Sequence, residues 1–352
     1  MGVDLSSVSY KFIALLLIAS YAAAQDQGTD DYYIKYPDRL QVNLFQSQKQ
    51  YILIIAPGGL TNKNGKSLVQ RYTAQARAIS GFDLAYDKLS LSLTFKSISP
   101  DERILGKTKY FTLSNSFGNK NYIVESSIRR YKSFYDSNSP NYNNQYTPPN
   151  PYFINSDLRT ISIKSKVIFF SNANHFSYRS SYSLNYRQLK SAASFLLSAG
   201  IQYNNWKSAS LYAPDIKPYF EPVADVYKIT SYNLLTGIGG SANIVLINRF
   251  FFNATLLVTP ELQTRYYFAA SNKINRATYI TTSLDTRFAF GINTKYFAYS
   301  INSMNDWTFY NGNHLDIVTA FTSASLNIGF RINMSKVAIL NRLKENKFYK
   351  ML

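Results

Sequence analysis

Along most of the chain apolar and polar residues alternate with a period of two, the signature of strands with one greasy and one wet face. The pattern is plainest between Lys107 and Phe134, KTKYFTLSNSFGNKNYIVESSIRRYKSF. Phe111, Leu113 and Phe117 share one face with Tyr110, Thr112, Ser114 and Ser116 on the other, and Asn115 is the one polar residue on the apolar side. Gly118-Asn119-Lys120-Asn121 supplies a turn whose residues tolerate positive φ, and the return arm sets Tyr122, Val124 and Ile128 against Glu125, Ser127 and Arg129. Leu89 to Lys96 alternates without a fault, and Ala324 to Ile332 sets Leu326, Ile328 and Phe330 against Ser325, Asn327, Gly329 and Arg331.

The last of these belongs to a run that starts at Asp316, and similar runs start at Leu40, Leu68, Ile161, Phe176, Ser191, Leu234, Phe250, Thr278 and Tyr296, which brings the total to thirteen segments. A single-chain bacterial barrel with both ends on one side needs an even number. Either a weak strand hides between Asn204 and Pro222, giving fourteen, or one segment lies outside the wall, giving twelve. Residues 136–157 and 204–227, rich in Pro, Asn and Tyr, read as long loops, whereas Tyr86-Asp87-Lys88 reads as a tight turn. The expected fold is therefore all-β, a closed antiparallel transmembrane β-barrel of 12 to 14 strands, with short turns on one rim and long loops on the other.

The ends of the chain follow other rules. Lys11, the apolar run Phe12 to Ala19 and Ala22-Ala23-Ala24 make residues 1–24 a secretory signal peptide. A polar arm occupies 25–38, the barrel 39–333, and a basic tail 334–352, in which Val337, Leu340 and Leu343 fit a short amphipathic helix bordering or plugging the periplasmic mouth.

An exported chain with no Cys has no disulfide framework and needs a large core or a closed hydrogen-bonded wall. The 30 Tyr and 24 Phe favour the wall, since amphipathic rings are most stable at a membrane interface. The net charge of +18 comes from dispersed residues, which points to anionic lipid headgroups or lipopolysaccharide phosphates as neighbours and away from nucleic acid.

Candidate chemistry is sparse. His175 and His314 sit in predicted turns or loops, and no H-E-x-x-H, G-x-S-x-G or P-loop occurs, so no catalytic, cofactor or metal residue is assigned and an enzyme is not expected. Alternation places seven basic residues in the lumen: Lys96, Arg129, Lys164, Lys166, Arg179, Arg287 and Arg331, against Glu125 and Asp285. Left unpaired they would draw water and small anions inward; paired, they would help to fill a closed barrel.

The stretches GKTKYFTLSNSF and NKNYIVESSIRRYKSFY, with HFSYRSSYSLNYRQLKSAASFLL, resemble the outer-membrane barrel proteins of Bacteroidota grouped as domain-of-unknown-function family 4421. Gln188, Leu189, Lys190 and Ala193 stand where that family tends to carry a lysine pair and a glycine. The resemblance implies a barrel in the bacterial outer membrane and transfers no site residues. The functional expectation is a passive role, as a narrow pore with a positively biased lumen or as a structural barrel. A binding or secretion-accessory barrel acting on a periplasmic or surface protein through its loops and tail is the alternative, and a lipid-modifying enzyme the third reading.

Overall fold

The computed structural model describes residues 31–57, 68–96, 102–247, 249–271, 274–310 and 315–351. Residues 1–30, which include the stretch expected to be a signal peptide, the 58–67 segment and His314 lie outside the described residues, as does the side chain of Lys96. Two short strands, β1 (Tyr33–Lys35) and β8 (Tyr186–Gln188), pair with each other. The remaining twelve form one closed antiparallel ring in chain order. They are β2 (Arg39–Pro57), β3 (Gln70–Tyr86), β4 (Leu89–Lys96), β5 (Lys109–Gly118), β6 (Tyr122–Asp136), β7 (Phe153–Phe170), β9 (Ala192–Lys207), β10 (Val226–Leu246), β11 (Phe250–Ala269), β12 (Ile274–Asn293), β13 (Phe297–Tyr310) and β14 (Leu315–Asn333). β14 pairs along its whole length with β2, from Leu315↔Pro57 to Asn333↔Arg39, so every wall strand has two neighbours.

The outer face is the apolar one. Phe195, Ile201, Ile163 and Phe330 are 79%, 64%, 44% and 51% exposed, Leu91 is exposed, and Leu93 and Leu113 are half-buried on the same side. An exterior this greasy around a wall with no free edge is a lipid-facing surface, because hydrocarbon offers no partners for open backbone groups. Near the long-loop rim Tyr203, Tyr232 and Tyr266 pack side by side along it, tilted and edge-on with ring centroids 5.3 and 6.1 Å apart, as in an interfacial aromatic belt.

Small features shape the wall. At the opening hairpin Gly118 has φ 145, and the Asn119 carboxamide accepts from the Asn121 and Tyr122 N–H groups at 2.8 and 3.2 Å, closing the turn. Of the glycines in β10, Gly239 faces the Leu256 carbonyl so closely that no Cβ fits, whereas Gly240 has room for one. β4 and β5 are short, and beyond them β3 pairs directly with β6 at Tyr72↔Asp136 and Thr73↔Tyr135, so the ring drops two strands toward the long-loop rim.

Three expectations change. The wall has twelve strands, and the segment outside it is Phe176 to Tyr182: its residues belong to a short helix, Arg179–Tyr182, followed by β8. Alternation misleads there because Ser177, Tyr178, Arg179, Ser180 and Ser181 are all buried, so no face of that segment is wet. Second, β9 runs on to Lys207 and β10 starts at Val226, so the loop is 208–225 and hides no strand. Third, the short-turn rim also carries the long insertion 171–191. The tail does form helices, Ala338–Glu345 and Lys347–Met351, and it borders that rim without entering the lumen: Lys344 reaches Asp38 at 2.6 Å, and Tyr349 donates to Asp87 at 2.9 Å.

Candidate functional site

Inward-facing residues of the wall define the lumen, which is filled in three layers. At the long-loop rim the 208–225 loop folds into the mouth and buries Leu211, Tyr212, Ala213, Ile216 and Phe220 against Tyr51, Leu53, Tyr131 and Trp206 of the wall. Tyr212 stacks on Phe220 at 4.2 Å, Tyr72 Oη donates to the Leu211 carbonyl at 2.9 Å, and Trp206 Nε1 donates to Tyr51 Oη at 3.0 Å. This cap is a dry core held by a few polar clasps.

At the short-turn rim the 171–191 insertion occupies the lumen as a polar plug. Wall asparagines on four strands grip it. Asn43, Asn243 and Asn293 donate to plug backbone carbonyls of Ser183, Ser177 and Ser180 at 3.3, 2.9 and 2.9 Å, and Asn253 accepts from Tyr182 Oη at 2.5 Å. Two of the basic residues expected in the lumen do this work too. Arg179 belongs to the plug itself, and its guanidinium donates to the Lys88 and Gly118 carbonyls at 2.7 and 3.3 Å. Arg331 projects from β14 and donates to the Leu184 carbonyl at 2.5 Å and to Asn293 Oδ1 at 2.6 Å, with the Tyr36 ring 4.4 Å from its guanidinium. Each sits among carbonyls and hydroxyls and so locks backbone in place.

Between cap and plug lies the charged layer. Arg287 binds Glu125 through two bonds of 2.8 Å and Asp285, two residues before it on the same inward face, through two of 3.0 Å. Its Nη1 also donates to Tyr178 Oη of the plug. Lys166 adds a 2.5 Å contact to Asp285 and one of 3.9 Å to Glu125. Lys164 donates to both Asp306 oxygens at 3.3 Å, and Arg129 reaches Asp306 at 3.3 Å while its guanidinium lies 3.9 Å from the Phe321 ring centre. Arg129, Lys164, Lys166 and Arg287 thus meet Glu125, Asp285 and Asp306, and the array is positive by one charge (four cations less three carboxylates). Of the two arrangements the alternation allowed, these four positions take the paired one, because each cation has a carboxylate within 3.3 Å.

Asp306 escaped the sequence reading. The strand that begins near Tyr296 runs on to Tyr310, with Trp307 and Phe309 outward against Asp306 and Thr308 inward. A cavity of about 270 Å³ remains beside the charged layer, where β4 and β5 contribute mostly short side chains, among them Ser90, Ser92, Thr112, Ser114 and Ser116. Those short side chains leave room for water or a small polar molecule and supply no nucleophile–base pair. His175 is exposed at the plug's edge with Nδ1 2.8 Å from Asn172 Oδ1, and among the described residues no group of three metal-ligating side chains occurs.

These features define a transmembrane β-barrel with an occluded lumen. The chain belongs to the DUF4421 family, a domain of unknown function, whose model matches residues 25–332. No curated protein matches the sequence. Among solved structures it is similar to the outer membrane protease OmpT from Escherichia coli, at 8% identity and TM-score 0.38 over 85% of this chain and 98% of that one. It is also similar to the translocator domain of the autotransporter NalP from Neisseria meningitidis, at 11% identity and TM-score 0.36 over 94% and 98%. A Pseudomonas aeruginosa FadL homologue follows at 10% identity and TM-score 0.27 over 84% and 91%. At such scores the fold rests on the strand register described above.

Proposed function

We propose that the protein is a closed, non-conducting barrel of the bacterial outer membrane, a structural or partner-binding protein with neither a pore nor an enzymatic role. The lumen filled from both rims, with an ion-paired layer between, is the observation that carries this reading. A pore needs a continuous wet path, whereas here a dry aromatic cap and a hydrogen-bonded plug stand in series. Each cation that would favour anionic solutes already has a carboxylate partner, which leaves the array only one positive charge in excess. Partners would then meet the protein at its rims, through the long loops on one side and the tail on the other. Planar-bilayer recording on the purified protein tests the reading: the expected trace is flat, and steady, reproducible steps of either ion preference would overturn it.

A further inference from the structure

We propose that the outer wall carries a binding row for the phosphates of an outer-leaflet glycolipid, built by five cations in strict register across β5, β6, β7, β9 and β10. The pairings are Lys109↔Lys132, Lys132↔Arg159, Arg159↔Lys207 and Lys207↔Lys228, so each residue stands directly opposite the next. Tyr110, Tyr131, Thr160, Trp206 and Ile229 are the adjoining inward residues, so all five basic side chains project from the outer face. Lys109, Arg159 and Lys207 are exposed.

Like charges placed opposite one another on a sheet destabilise it, and one such pair is ordinarily avoided. Four in succession need a compensating anion. Among the described residues the row's one ion pair is Arg159 to Asp157 at 3.7 Å, both half exposed, and the Lys228 ammonium lies 4.2 Å from the Phe268 ring. That leaves the row strongly positive. Strands stand about 4.8 Å apart, so it spans on the order of 19 Å, wide enough for more than one phosphate.

Its height on the wall selects the ligand. The row lies on the long-loop side of the exposed Ile163 and Tyr232, four residues along from Ile163 to Arg159 and from Tyr232 to Lys228. It therefore borders the lipid-facing band at headgroup level, where cations are attracted to anionic lipid. Both ends of the described chain lie at the opposite rim, which is periplasmic in such barrels, so the leaflet in question is the outer one. This inference needs only that orientation and holds whether or not the lumen conducts.

The full chain, purified in a zwitterionic detergent, is titrated with lipopolysaccharide, and lipid phosphorus retained per protein is measured after size exclusion. Arg159→Gln with Lys207→Gln is expected to weaken retention about tenfold, and Lys336→Gln with Arg342→Gln on the tail to leave it unchanged. Lys132→Gln with Lys228→Gln replaces the first pair if that variant lacks the heat-sensitive gel mobility of a folded barrel. Equal losses from the wall and tail pairs, or no loss from the wall pair, would overturn the proposal. So would displacement of the lipid by millimolar inorganic phosphate, which would mark a site for free anions.

Discussion

Asp306 accepts from Lys164 and Arg129, which come from β7 and β6 on the far side of the lumen, so one carboxylate ties three wall strands together. Removing its charge leaves two cations facing each other without the one carboxylate that bonds both. Asp306→Asn is therefore expected to destabilise the barrel by about 3–5 kcal/mol, the usual cost of breaking a buried ion pair from one side. The urea midpoint of the refolded protein in detergent measures it, and a change under ~1 kcal/mol would show that water already screens the layer. Tyr349 makes a weaker but more readily switched contact. Burial, and then the neighbouring Asp87 carboxylate, hold its hydroxyl above the ordinary value of 10.0. An acid whose folded value is raised contributes fully below its unfolded value and loses that contribution as pH rises through the folded one. Docking of the tail should thus be constant at neutral pH and weaken above about 10. Because the chain has no Cys, a spin label on Lys347→Cys reports it. Tyr349→Phe, which deletes the bond to Asp87, should loosen the tail at neutral pH by about fivefold, near 1 kcal/mol, and flatten the alkaline transition.

At the scale of elements the wall was legible and its fillings were not, for one physical reason. A wall strand sees lipid on one side and lumen on the other, so Leu113 against Ser114, or Leu326 against Asn327, announces its own orientation. A segment surrounded on all sides has no such contrast: Ser177, Arg179 and Ser181 looked like the wet face of a strand beside Tyr178 and Tyr182, yet all of them are covered or nearly so. The 208–225 loop likewise showed its prolines and hid its purpose, although Leu211, Tyr212, Ile216 and Phe220 are more apolar than a solvated loop requires. The six basic residues with described side chains meet carboxylate or carbonyl partners that, Asp285 beside Arg287 excepted, are remote in sequence and could not be matched beforehand. The two fillings block the same path in series, and that gives a sharp expectation. Replacing 171–191 by a short turn, or 208–225 by a short turn, should each leave planar bilayers silent, while the double replacement should produce small steps through the serine-lined side of the charged layer. Steps from either single replacement would mean that the remaining filling does not seal.

For the whole molecule the decisive contact is the one between its first and last wall strands. β14 meets β2 without a register break from one rim to the other, and only this pairing turns a twelve-stranded sheet into a ring. In lipid an open edge is untenable, since each unpaired backbone group costs several kcal/mol and two whole strands would expose theirs together. The tail, by contrast, touches the barrel through Lys344 to Asp38, Tyr349 to Asp87 and the Lys88 ammonium to the Tyr349 carbonyl at 2.9 Å, all at the rim. Ending the chain after Asn333 should accordingly leave a folded barrel, with unchanged far-UV dichroism and the faster gel migration of an unheated sample, whereas ending it before Leu315 should abolish both. The two truncations differ by one strand. If the shorter chain still migrates as a compact, heat-sensitive species, another pair of strands must be able to close the ring, and the plug and cap, whose grips are spread over β2, β3, β10, β11 and β12, would be what holds the wall together.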